Sequence, residues 1–164
     1  MSATGPASHA PRRRKFLVVV DKSPECRKAL RFASRRAQHT GGIVSLLTVV
    51  VPADFQHWRS VEDAMRDEAM QEAEKMLYDA ARDVNQVAGL YPEFIILEGN
   101  PREVLMGLLG QDPDISILVL GAGTSREGPG PLVSLVAQHS QQAYPIPVTI
   151  VPGGLSDELI DALA

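Results

Sequence analysis

The chain has 164 residues, 45% of them hydrophobic and 22% charged. That composition fits one soluble globular domain and excludes disordered and membrane-spanning classes. The net charge is −4, and setting aside the run Arg12-Arg13-Arg14-Lys15 leaves about −8, an acidic body that argues against a dedicated nucleic-acid surface. One cysteine, Cys26, rules out an intrachain disulfide and implies no oxidising compartment.

Residues 1–14 combine Ser, Ala, Pro and Gly with the basic run and read as a disordered, solvated tail; RNA or an anionic membrane is the alternative use for its charge. The apolar stretch behind it, Phe16 to Val20, stops at Asp21. It is too short for a secretory core, and no stretch approaches the roughly 18 apolar residues of a membrane span. A cytoplasmic protein is expected.

Apolar runs recur at 16–20, 43–51, 94–97, 115–120 and 147–151. Most are continuous rather than alternating, as in strands covered on both faces. Helical segments lie between them. Pro24 to His39 follows Ser23, a candidate N-cap, and stops at Gly41-Gly42; Cys26 on its apolar stripe reads as core. Residues 60–88 open on a Ser60–Asp63 capping box, and Val61, Met65, Ala69, Ala73, Met76, Ala80, Val84 and Val87 form one apolar face. Pro101 to Leu109 follows the cap Asn100; Pro131 to Ala143 and Ser156 to Leu163 complete the set. Strict strand–helix alternation selects a single α/β domain, a doubly wound five-stranded parallel sheet with helices on both faces. The domain is read as 15–152, with 153–164 a C-terminal extension carrying a short amphipathic helix that packs on its own sheet or on a partner's.

Ligands of such sheets bind beyond the carboxyl ends of the strands, where strand order reverses. Asp21 and Ser23 follow the first strand. Asp21 there accepts from a ribose hydroxyl or an adenine amine, or else caps the next helix, a task Ser23 can also perform. Gly121, Gly123, Gly128 and Gly130 follow the fourth strand and lead to a helix whose first turn holds Ser134. Glycines admit an anion to backbone amides, and a helix N-terminus adds partial positive charge; the alternative is a loop whose glycines only turn the chain. Arg126 is either a phosphate contact or a solvated arginine. Gly99-Asn100-Pro101-Arg102 forms a wall of the site, or a helix cap and nothing more. His57 beside Trp58 offers adenine stacking or a surface aromatic pair. Catalytic and metal constellations are missing: His9, His39, His57 and His139 have no ligand spacing, and no nucleophile elbow or Walker lysine motif occurs.

These residues resemble the universal stress protein family from 15 to 152. Lys15 to Ser23 is similar to its opening strand ending in Val-Asp-x-Ser, and Leu46 to Val50 to its second strand. Glu98-Gly99-Asn100-Pro101 resembles the turn after the third. Ile117 to Gly121 is similar to the fourth strand with its first loop glycine, and Pro145 to Val151 to the closing strand. The resemblance implies an adenine nucleotide alpha hydrolase-like fold of strand order 3-2-1-4-5, a homodimer joined through the last strand (Pro147 to Val151), and no strong enzymatic activity. ATP-binding members carry Gly-x2-Gly-x9-Gly-Ser/Thr in the fourth loop. Counted from Gly121, this chain has Thr124 at the second glycine and Ser134-Leu135 at the final pair. Carried over by position, Asp21 and Val49 line the adenine and ribose pocket and Gly121 opens the phosphate loop, with Gly128, Gly130 and Ser134 matching loosely.

The expectation is therefore a stress-response module binding ATP or AMP, with Mg2+ accompanying ATP. Its rival is a nucleotide-free dimeric interaction module whose loop is filled by its own side chains, Leu132 and Arg126 among them. Slow ATP hydrolysis would need a metal-binding acid, for which Glu127 is the loop carboxylate available.

Overall fold

A computed structural model describes residues 12–52, 59–138 and 144–164. The elements run β1 (Lys15–Val19), α1 (Pro24–Thr40), β2 (Ile43–Val50), α2 (Arg59–Ala88), β3 (Glu93–Glu98), α3 (Pro101–Gln111), β4 (Ile115–Ala122), α4 (Pro131–Gln138), β5 (Val148–Pro152) and α5 (Asp157–Leu163). His57, Trp58, His139, the first eleven residues and the last turn expected for α4 lie outside the described residues. The five strands are parallel in the order β3-β2-β1-β4-β5, so the fold class and strand order are those expected.

Alternation along β1 divides the core. Phe16 and Val18 face one layer with Val44, Leu46, Leu77, Val84 and Ile160, under α1, α2 and α5. Leu17 faces the other with Leu47, Leu105, Leu109, Leu118 and Val133, under α3 and α4. Both faces are covered, which is why the strands read as unbroken apolar runs. Burying each of these large side chains contributes about 1.5–3 kcal/mol.

At the amino edge of the sheet Lys15 binds Asp112 at 2.9 Å and Glu93 at 3.0 Å. These hydrogen-bonded pairs hold the Lys15 amine above its ordinary pKa and, with the backbone amide of Asp114, hold Asp112 below its own despite the burial of its carboxyl. Residues 12–14, assigned to the tail, run against the body instead: Ile43 donates its amide to the Arg14 carbonyl at 2.9 Å, and Arg13 Nε donates to the Gly41 carbonyl at 3.3 Å.

The apolar face of α2 is shorter than its sequence pattern. Ala73, Leu77, Ala80, Val84 and Ala88 are buried, whereas Val61 and Met65 are exposed. The first turns of the helix overhang the carboxyl end of the sheet, where Arg66 pairs with Glu98 at 2.7 Å. The C-terminal extension packs on its own domain: Ile160 is fully buried, and Asp161 receives Arg31 Nη2 at 2.6 Å and Arg35 Nε at 3.0 Å from α1.

Candidate functional site

The carboxyl ends of β1, β2 and β4 open on a cleft of about 310 Å³. Val19, Val49, Leu120 and Leu132 are among its apolar walls, with Asp21, Ser23, Gly121 and Gly130 around it. Its size lies at the lower end of small-ligand sites, and its largely apolar wall with a few polar groups at the rim is their usual composition. Adjacent parallel pairing of β1 with β4 creates the crevice, since their following loops diverge to opposite faces of the sheet.

Asp21 is placed by the end of β1, where the Val20 amide donates to the Leu47 carbonyl at 2.7 Å. Its carboxylate faces Ser23: the Ser23 amide donates to Asp21 Oδ1 at 2.8 Å, and the Ser23 hydroxyl donates to the same oxygen. Ser23 holds the N-cap position of α1 but makes no side-chain capping bond. The serine therefore orients the aspartate through Oδ1 instead of closing the helix. Lys22, the cation of this turn, is turned to Glu72 of α2.

The loop after β4 is folded on itself. Gly123 donates its amide to the Pro129 carbonyl and Gly128 to the Ser125 carbonyl, each at 3.2 Å, while the Glu127 amide donates to Ser125 Oγ at 3.3 Å. Gly128 and Gly130 adopt φ of 95° and 105°, conformations that favour glycine and that this tight turn requires. Ser134 Oγ donates to the carbonyl of Gly130, the residue before its helix, at 2.8 Å. The first-turn amides of Leu132 and Val133 are the backbone donors α4 leaves at the cleft wall. Arg126 is exposed and stands off the cleft lining, as do Gly123, Gly128, Ser134 and, after β3, Gly99. Asn100 caps α3, accepting from the Arg102 and Glu103 amides, and its neighbour Pro101 reaches the cleft wall.

Gly121 serves a packing need. A Cβ at this position would stand 2.4 Å from the Glu25 carbonyl oxygen, so α1 crosses β4 in backbone contact. That approach carries Glu25, which sequence reasoning passed over, to the cleft. Its Oε1 lies 3.1 Å from where a Gly123 Cβ would be. Cys26 beside it is buried, and burial pushes its thiol up to about 11; it is a core residue that also touches the cleft. Tyr144 Oη donates to the Leu132 carbonyl at 3.1 Å, steadying the first turn of α4. Among the described residues no cluster of His, Cys, Asp and Glu has a metal-holding arrangement, and no helix is long and apolar enough to cross a membrane.

A family model described as the universal stress protein family matches residues 12–152. A comparison with curated proteins finds no significant match. Among solved structures, the universal stress protein UspA from Lactobacillus plantarum superposes with a TM-score of 0.69 at 23% identity, covering 87% of this chain and 99% of that one. The universal stress protein from Archaeoglobus fulgidus in complex with dAMP gives 0.61 at 22% identity, over 85% of this chain and 98% of that one. A family protein from Arabidopsis thaliana with AMP bound gives 0.56 at 17% identity, over 88% and 94%. At these identities the likeness to the solved structures is one of fold. The family model covers most of the sequence, and with the observed strand order it shows that the chain belongs to the universal stress protein family.

Proposed function

We propose that the chain is a cytoplasmic stress-response module that holds an adenine nucleotide in the cleft between β1 and β4 and does not turn it over. The observation that carries this reading is the apolar cleft of about 310 Å³ at the strand ends, with Asp21 fixed at its rim by Ser23. Val19, Val49 and Leu132 offer flat apolar contact for a purine, and Asp21 Oδ2 can accept from a ribose hydroxyl. Relatives of the same fold with AMP or dAMP bound support the ligand class. Among the described residues no group of His, Cys, Asp and Glu is arranged to hold a metal ion, and binding without hydrolysis is the proposed activity. Calorimetric titration of the full chain with AMP, ADP and ATP tests it: saturable heat and a raised melting temperature are expected. No heat and no shift at millimolar ligand would overturn it.

The self-bonded β4–α4 loop favours a second reading, a nucleotide-free module whose output is association through β5. In that case no adenine ligand stabilises the protein, while its oligomeric state still depends on β5.

A further inference from the structure

We infer that Glu25 makes this cleft selective against phosphate charge, so that within the nucleotide-binding reading, on which this rests, the preferred ligand is the least phosphorylated member of the adenosine series. The inference stands on three observations. First, α1 meets β4 so closely at Gly121 that Glu25, in the first turn of α1, is delivered over Gly123, at the start of the loop where phosphates would have to lie. Second, three of the loop amides that could answer a phosphate are already engaged: Gly123, Glu127 and Gly128 all donate within the loop. Third, among the described residues the cleft lining contains Asp21 and Glu25 and no lysine, arginine or histidine. Lys22 is turned to Glu72, and Arg126 stands off the lining.

The electrostatics follow from size. A sphere of 310 Å³ is roughly 8 Å across, so a phosphate anywhere in the cleft sits within about one Debye length of both carboxylates at physiological salt. The positive end of the α1 dipole, which elsewhere would favour an anion, is already answered by Glu25 in its first turn. The Gly130, Leu132 and Val133 amides remain at the lining, but they offer partial charges against two full ones of opposite effect. Adenosine escapes this repulsion, AMP meets it, and ATP meets it most.

Full-length protein and its Glu25→Gln variant, which keeps the shape of the side chain and removes its charge, are titrated calorimetrically with adenosine, AMP and ATP. EDTA is present so that no divalent cation bridges carboxylate to phosphate. Wild type is expected to bind adenosine at least about tenfold more tightly than ATP, with AMP between them. Glu25→Gln is expected to close most of that gap by tightening ATP and leaving adenosine within about twofold. ATP binding to wild type as tightly as adenosine, or an unchanged ratio in Glu25→Gln, overturns the inference and leaves the nucleotide reading intact. Absence of binding by all three ligands overturns both.

Discussion

Gly121 is where packing and binding are hardest to separate, because the same missing side chain lets α1 touch β4 and opens the floor of the cleft. An added Cβ would meet the Glu25 carbonyl oxygen at 2.4 Å and its carbonyl carbon at 2.7 Å. Backbone cannot rotate away as a flexible side chain can, so α1 has to lift from the sheet. Gly121→Ala is expected to destabilise the fold by about 1–3 kcal/mol, the usual cost of overpacking. The same substitution at Gly107, exposed on α3 with nothing within 4 Å of its Cβ, should stabilise by roughly 0.5–1 kcal/mol from helix propensity alone. Urea midpoints of the two variants check both signs, and an unchanged midpoint for Gly121→Ala would mean that the α1–β4 contact has slack. Asp21 and Gly121 were legible at the cleft because strand ends locate it, and Val49 was carried there by the family resemblance. Glu25 was not, because its role depends on which strand α1 crosses, a relation between residues about a hundred positions apart. The serine at 23 misled for a related reason: a residue of capping type followed by proline looks like a cap until the competing acceptor, Asp21, is seen two residues away.

The C-terminal helix shows how an element outside the family match, which ends at residue 152, can still be integral to the fold. Ile160 is fully buried in the layer shared with α1 and α2, and ion pairs ring it: Lys28 with Asp157 at 2.9 Å, and Arg31 and Arg35 with Asp161. Hydrogen bonds from the two arginines hold the Asp161 carboxyl at about 2, below its ordinary 3.8. A carboxyl with a lowered folded pKa stabilises the fold above its unfolded pKa and loses that contribution as pH falls through the folded one. The α5 clasp is therefore fully engaged above about pH 4 and weakens from there toward pH 2. Asp161→Asn should melt below wild type at pH 7 and approach it near pH 2, as followed by circular dichroism. A gap between the two curves that stays constant with pH would show that Asp161 acts through packing and not through charge. Periodicity found this helix, and its amphipathic pattern left its docking surface open. Nothing local in a sequence marks which of several basic side chains on α1 an aspartate some 130 residues later will meet. The exposed start of α2 failed in the opposite direction: its pattern continued past the point where the sheet beneath it ended, leaving Val61 and Met65 uncovered.

At the scale of the molecule, strand–helix alternation and unbroken apolar runs made the doubly wound sheet legible, because a sheet covered on both faces has little freedom in composition. The strand order was not carried by those patterns and came from family resemblance. The order leaves β3 and β5 as the two edges. An edge strand presents unpaired amides and carbonyls to any second chain that can align with it. On β3, Phe94 meets Tyr78 of α2 in an edge-to-face contact with centroids 5.4 Å apart, and both side chains stay exposed. On β5, Ile150 is 38% exposed and lies between buried Val151 and half-buried Thr149, a large apolar side chain only partly covered. If copies of this chain associate through Pro147 to Val151, Ile150 is the position where charge is least tolerated at the contact and best tolerated in the monomer. Light scattering coupled to size exclusion is expected to give wild type twice the chain mass of 17.7 kDa and Ile150→Lys the single mass, with closely similar urea midpoints when both are measured at a dilution that dissociates the dimer. Wild type running as a monomer throughout the micromolar range would remove the β5 interface. A dimer in both proteins would move it to another face of the molecule.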